Sequence, residues 1–344
     1  MTVTPSRRRD FRFDVWGVLL LLPLLVVPFV TKNPLLHSLT YQSAIGVSAA
    51  MGVYVMLRMG LLSFTVPAFM AIGGYAAAML AKAGANDLLL LLIVSFVAPA
   101  VVAVPLGSIV LRLKGVYFIF VTFIFNEILQ LILFETPTLT GGSDGIAGVP
   151  PAKLFGLDLG SPALLVAVTV ALAIIATLLT LAVTHRFRPE FTSIEENETL
   201  AESLGVAVWK YRTIGFIASA GVSGLAGFAL VNMLSTAHPS SFSSWSVNNY
   251  IAYVFVGGRA TMLGVVVGSL LLIVLTNMFS SYAHLSAGMF GVLLLVVMMI
   301  APAGLVGSLV NLFDRRKWRA QAAAKPLVDE PRPSALPPQA TSQE

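Results

Sequence analysis

The sequence predicts an all-α polytopic membrane protein with about ten transmembrane helices and both termini in the cytoplasm, and three observations carry that prediction. Hydrophobic residues make up 57% of the 344 and charged residues only 11%, with a mean hydropathy of +0.88. A soluble domain carries roughly 25% charged residues, so a soluble enzyme is excluded. Apolar runs close to the ~20 residues needed to cross a bilayer recur along the chain. Finally, the Lys and Arg residues alternate between crowded and sparse loops in the order a threaded chain requires.

Taken in order, Arg7-Arg8-Arg9-Asp10-Phe11-Arg12 precedes an apolar run at 15–30. That is a signal peptide's charge order, but Thr31-Lys32-Asn33-Pro34 follows in place of a small-residue cleavage site, so the run reads as a retained span. Further spans are read at 41–57, 61–80, 88–111, 116–134, 164–183 and 214–234. The apolar block 247–278 is too long for one crossing and is interrupted by Gly257-Gly258-Arg259-Ala260, so it splits into a short inward segment and an outward one at 263–279. A last span, 285–303, leads to Arg315-Arg316-Lys317-Trp318-Arg319. With this threading only Lys32, Lys82 and Lys153 of 21 Lys and Arg fall outside. The domains then read as a basic N-terminus (1–14), a permease-like membrane domain (15–305) and a basic tail (306–344). The tail's Pro, Ala and Ser content favours disorder.

The net charge of +5 follows membrane topology and carries no nucleic-acid signal. No cysteine is present, and His37, His185, His238 and His284 show no ligand spacing, so no metal site is expected.

One polar stretch, 185–212, stands apart as a structured cytoplasmic loop. Ser193 and Glu196 have capping-box spacing, and Glu195, Glu196, Asn197 and Glu198 open what reads as one helix of about three turns. Ala201 and Leu204 fall on an apolar face, and Gly205 suits a left-handed helix end. Such a helix is either a solvated connector or a docking element.

Three further features carry information. Small residues crowd 68–78 (Ala68, Ala71, Gly73, Gly74, Ala76, Ala77, Ala78), which lets neighbouring helices approach closely. Thr122, Asn126 and Gln130 lie at helical spacing with Glu127 beside them; they form either a sealed hydrogen-bond cluster or part of a translocation path. Thr140-Gly141-Gly142-Ser143-Asp144-Gly145 is a turn array in the outer loop 135–161, with no Lys-Ser/Thr to make a nucleotide loop.

These segments resemble the LivM-type permeases of branched-chain amino acid ATP-binding-cassette importers. The resemblance rests on Gly60-Leu-Leu-Ser, the run from Leu111 to Phe118, Thr122 with Asn126-Glu127-Ile128, and the Thr140–Gly145 loop. It extends through Glu196-Asn-Glu, Ala201 to Gly205, Ser223-Gly-Leu-Ala-Gly227, and Gly257-Gly258 with Gly264 and Gly268. The resemblance implies a bacterial inner-membrane permease without a cofactor of its own, ATP being used by partner subunits. It implies as partners a second, LivH-type permease, two cytoplasmic ATPases, and a periplasmic or surface solute-binding protein facing Thr140–Gly145. The 185–212 stretch becomes the loop that couples to an ATPase. Permeases for urea, amides or simple sugars are alternatives within that superfamily, and an ion-coupled secondary transporter is the alternative outside it. Thr65-Val66-Pro67, Pro189-Glu190 with Glu195, and Arg259-Ala260 depart from the family pattern, the first of them bearing on substrate.

Overall fold

A computed structural model describes residues 6–279 except residue 155, with scattered positions between 288 and 308. The described residues belong to one compact unit, Met1–Ser308. The expected span at 285–303 lies largely outside the described residues, and the tail after 308 wholly so.

The long helices are α1 (Ser6–Val30), α2 (Pro34–Leu57), α3 (Val66–Lys82), α4 (Leu88–Val110) and α5 (Val116–Glu135). A short α6 (Pro137–Thr140) and two two-residue strands, β1 (Ile146–Ala147) and β2 (Lys153–Leu154), follow, and β2 pairs with β3 (Leu157–Asp158). Next come α7 (Pro162–Arg186), the short α8 (Arg188–Glu196) and α9 (Glu198–Ser203), and α10 (Val208–Leu234). Strand β4 (Thr236–Ala237) pairs antiparallel with β1, and α11 (Ser246–Gly257) and α12 (Met262–Phe279) complete the described fold.

Five described helices, α4, α5, α7, α10 and α12, are long and apolar enough to cross a membrane, with shorter apolar helices at Asp14–Val30 and α3. Helix α2 has the length but not the uniform hydropathy, and its position explains why. Every residue from Thr40 to Leu57 except Gln42 is buried in protein, so Ser43 and Ser48 need no lipid compatibility. Gln42 itself accepts from Asn277 on α12 at 3.0 Å.

Helix α10 occupies the centre, packed on α2, α3, α4 and α7. Its approach to neighbours is backbone to backbone. A Cβ on Gly73 of α3 would lie 2.5 Å from Gly224 Cα and 2.7 Å from Ser95 O, and one on Gly227 would strike the Met70 carbonyl. Ser219 on α10 donates to the Gly52 carbonyl of α2 at 2.7 Å, so the contact with α2 is polar as well as close.

Three boundaries differ from the sequence reading. The third span starts at Val66, not at residue 61: Gly60 turns with φ +71°, Leu61–Thr65 is non-helical, and Pro67 sits in the first turn, where proline is tolerated. Trp209 to Arg212 belong to α10 and not to the loop. The 185–212 stretch holds two short helices where one was read. Asn197 is extended (φ −160°, ψ 104°) and caps α9 by accepting from Leu200 N at 3.0 Å. The Ser193 hydroxyl donates back to the Glu190 carbonyl, so no capping box forms. The break expected at Gly257-Gly258 is present, with Gly258 at φ +113°.

A clasp that sequence reading passed over ties three helices at one end. Buried Asp14 of α1 accepts from the Met262 N–H, the first residue of α12, at 2.8 Å. Its other oxygen meets His185 Nε2, in the last turn of α7, at 3.0 Å. An acid at the very start of an apolar run, four residues after Asp10, was the available signal.

Candidate functional site: two surfaces at opposite ends of α5

Helix α5 is 20 residues long, about 30 Å at 1.5 Å per residue, and the candidate surfaces sit at its two ends. Before its first turn, Lys114 reaches Glu198 of α9 at 3.2 Å. Beyond its last turn, the Thr140 hydroxyl donates to the Leu133 carbonyl at 2.6 Å.

The first surface is built by α8 and α9. Phe191, Ile194, Ala201 and Val208 are buried in a cluster with Met59, Phe69, Phe118 and Phe216, so the loop is rooted in α3, α5 and α10. Arg212, buried in the second turn of α10, grips Glu198 with both guanidinium ends, Nη1 to Oε1 at 2.8 Å and Nη2 to Oε2 at 2.9 Å. This bidentate geometry is the strong form of an Arg–carboxylate pair. Glu195 lies 3.7 Å from Arg259, joining α8 to the α11–α12 turn.

The seven loop residues singled out from sequence therefore divide. Ala201 is a buried prop and cannot meet a partner, while Glu195 and Glu198 are engaged within the chain. Glu196, Asn197, Leu204 and Gly205 are exposed. Leu204 is 76% exposed and Leu200, four residues earlier, 57%, a two-leucine ridge with Trp209 also outward. Gly205 adopts φ +86°, the left-handed end read from sequence, and suits no side-chain-bearing residue well.

The α5 stripe also divides. Thr122 is fully buried, accepts from Phe64 N at 3.2 Å and donates to the Phe118 carbonyl at 2.9 Å. Asn126 is buried and donates to the Ser244 hydroxyl, while its Oδ1 has no partner among the described residues. Both are packed against the segments ahead of α3 and α11 and line no described cavity. Gln130 is half-buried, and Glu127 is exposed beside Phe123, Ile124, Ile128 and Leu131.

At the other end, Gly141 and Gly145 adopt φ +78° and +66°, and Gly142–Asp144 forms a 3₁₀ turn. The Thr140 hydroxyl accepts from Gly142 N at 3.2 Å, and His238 Nε2 bonds the Ser143 carbonyl at 2.8 Å. A Cβ at Gly141 would strike the Gly145 carbonyl, and one at Gly145 the Ala237 carbonyl, so glycine is required by space as well as by φ. The loop is thus pinned to β4, with Ser143 and Asp144 outward. The bonds of His238, Ser244 and Lys114 were not read from sequence, because their partners lie far away in the chain, and Arg212 was passed over although Glu198 lies only 14 residues before it. The loop and the ridge are shaped surfaces for contact; among the described residues no group of His, Cys, Asp or Glu is placed to hold a metal.

The model of the family described as branched-chain amino acid transport system / permease component matches residues 35–302. The high-affinity branched-chain amino acid transport system permease protein LivM of Escherichia coli is 27% identical over 271 residues, covering 72% of this chain. The LivM protein of Salmonella typhimurium is 26% identical over 317 residues, 84% of this chain and 74% of its own length. The match spans only 64% of the E. coli protein's length. No solved structure matches.

The Glu198–Arg212 pair makes a testable difference in stability. Glu198→Ala strands a buried guanidinium and is expected to cost about 2–3 kcal/mol. Lys114→Ala removes a 64% exposed partner of the same carboxylate and should cost under about 1 kcal/mol. Denaturant midpoints of the purified chain in detergent measure both; equal effects would place the pair's weight elsewhere.

Proposed function

The chain belongs to the family of branched-chain amino acid transport system permease components, and on that premise we propose that it is the membrane permease subunit of an ATP-binding-cassette importer. Its cargo is a branched-chain amino acid or a related small polar solute, as the relatives' names and the family description support. ATP is bound and hydrolysed by two cytoplasmic ATPase subunits, a second homologous permease pairs with this one, and a periplasmic or surface binding protein delivers solute. The chain crosses a bacterial inner membrane about ten times with both termini inside. The five long apolar helices, the shorter ones and the broken α11–α12 pair are compatible with that count.

One observation carries the reading: an exposed apolar ridge, Leu200 and Leu204, stands on a loop that is otherwise rigidly anchored to the central helix. An apolar ridge on an anchored loop suits a partner that pushes on it, because displacement of the loop must be passed to α10. The ridge is the docking contact for an ATPase subunit, with Glu196 and Asn197 at its rim. The Thr140–Gly145 loop, held 30 Å away along α5, is the surface that meets the binding protein. Most of α5 lacks cover among the described residues, and its exposed face with Glu127 is the side turned to the second permease and the solute path. Thr122 and Asn126 hold α5 in place and do not touch solute.

Three outcomes are expected. The chain has no native cysteine, so single cysteines at Ser143 and Ser203 can be labelled with an impermeant maleimide in intact and in inverted vesicles. They should react from opposite sides, and same-side labelling would contradict the threading. In proteoliposomes holding the assembled importer and its binding protein, uptake should require ATP and persist when proton and sodium gradients are collapsed. Leu204→Glu should abolish solute-stimulated ATPase activity while leaving the chain's own stability within about 0.5 kcal/mol, as for an exposed residue. Gradient-driven uptake without ATP would replace this reading with a secondary transporter.

A further inference from the structure

Where α2, α7 and α10 meet the 135–161 loop, they line a cavity of about 10 Å³, the room that one water molecule needs. The loop contributes Ala152 and Leu159, which are joined by a backbone hydrogen bond of 3.1 Å. Three polar side chains belong to the lining, one from each helix: Tyr41 of α2, Thr169 of α7 and Asn232 of α10.

Tyr41 is 6% exposed, and its hydroxyl has no hydrogen-bond partner among the described residues. A buried hydroxyl left in that condition carries its full desolvation cost, which native folds rarely tolerate. The Thr169 hydroxyl lies near the phenol, yet no direct bond of normal geometry joins them. Its proton is committed to the Leu165 carbonyl at 2.9 Å, so toward the cavity it offers lone pairs only. Asn232 donates to the Phe228 carbonyl at 3.0 Å, which leaves its Oδ1 as an open acceptor. The lining therefore holds one donor and two acceptors with nothing between them.

The chemistry of an occupant is narrow. No Asp, Glu, Lys or Arg lines the cavity, and its volume is far below that of an organic solute. A hard cation takes about six oxygen ligands, and three polar side chains do not supply them. We propose that the cavity binds one ordered water, which accepts from the Tyr41 hydroxyl and donates to Thr169 Oγ1 and Asn232 Oδ1. Three hydrogen bonds are the usual number for a buried water, and here they satisfy all three side chains. The water joins α2, α7 and α10 where no direct side-chain bond does. Lipid provides no hydrophobic drive between helices, so this bridge helps to set their separation beneath the loop. The site stands on the cavity and the unpartnered phenol and is independent of what the chain transports.

Two measurements on the full chain test it. The first is a cryo-electron-microscopy map of the assembled importer that resolves ordered solvent. It should show a single density within hydrogen-bond distance of Tyr41 Oη, Thr169 Oγ1 and Asn232, and a map of the Tyr41→Phe complex should show it weakened or lost. The second is the melting temperature of the purified chain, where the sign of the Tyr41→Phe effect decides. Removing a satisfied hydroxyl should lower the melting temperature by about 2 °C. Removing an unpaired hydroxyl from a dry cavity should raise it or leave it unchanged, and either result overturns the proposal. So does a map in which Tyr41 bonds Thr169 or Asn232 directly with no density between them, even if Tyr41→Phe is destabilising.

Discussion

Everything in this fold depends on how closely α10 approaches its neighbours. Lipid offers no hydrophobic drive to bring apolar helices together, so packing and interhelical hydrogen bonds must do it. Gly73, Gly224 and Gly227 remove the side chains that would hold α3 and α4 off α10, and Ser219 converts the contact with α2 into a hydrogen bond. A central helix that carries glycine and serine where its neighbours' backbones pass leaves little freedom to slide. Motion of α10 therefore carries α2, α3 and α4 with it.

The 185–212 loop inherits that stiffness. Phe191, Ile194 and Ala201 are seated in the same cluster as Phe69 and Phe216, and Glu198 is gripped by Arg212 of α10 itself. Two helices as short as α8 and α9 would not be stable alone in water. Burial of one face and a bidentate ion pair supply what their length cannot, and the exposed leucine ridge is presented on a fixed base. The asymmetry between the faces of the loop, one sealed and one apolar but open, is what distinguishes a transmitter from a linker.

Sequence reading reached the all-helical membrane class because membrane spans are written locally, in runs of apolar residues. It located the broken α11–α12 pair at Gly257-Gly258 and the left-handed end at Gly205, since glycine's backbone role is also local. The span read at 41–57 is a helix enclosed by protein, which need not look like one facing lipid. What it could not see was partnership at a distance. Glu198 read as a rim charge until Arg212 closed on it, and Ala201 read as a docking anchor although the chain's own aromatic cluster covers it. Asn126 read either as part of a sealed cluster or of a path, and its bond to Ser244, more than a hundred residues on, was not visible. Asn197 broke the expected single helix because its side chain satisfies Leu200 N only with an extended backbone of its own.

The central claim is that the ridge and α10 move as one body when an ATPase partner pushes on the loop. The cysteine-free chain allows spin labels at Ser203 beside the ridge and Leu234 at the far end of α10, both exposed, in the reconstituted importer. The distance between them, measured by pulsed electron paramagnetic resonance without nucleotide and with ATP trapped, should stay the same. The distance from Ser203 to a label on the second permease should change between those states. A Ser203–Leu234 distance that shifts with ATP while α10 stays fixed to the second permease would mean the loop swings alone, contradicting the transmitter role.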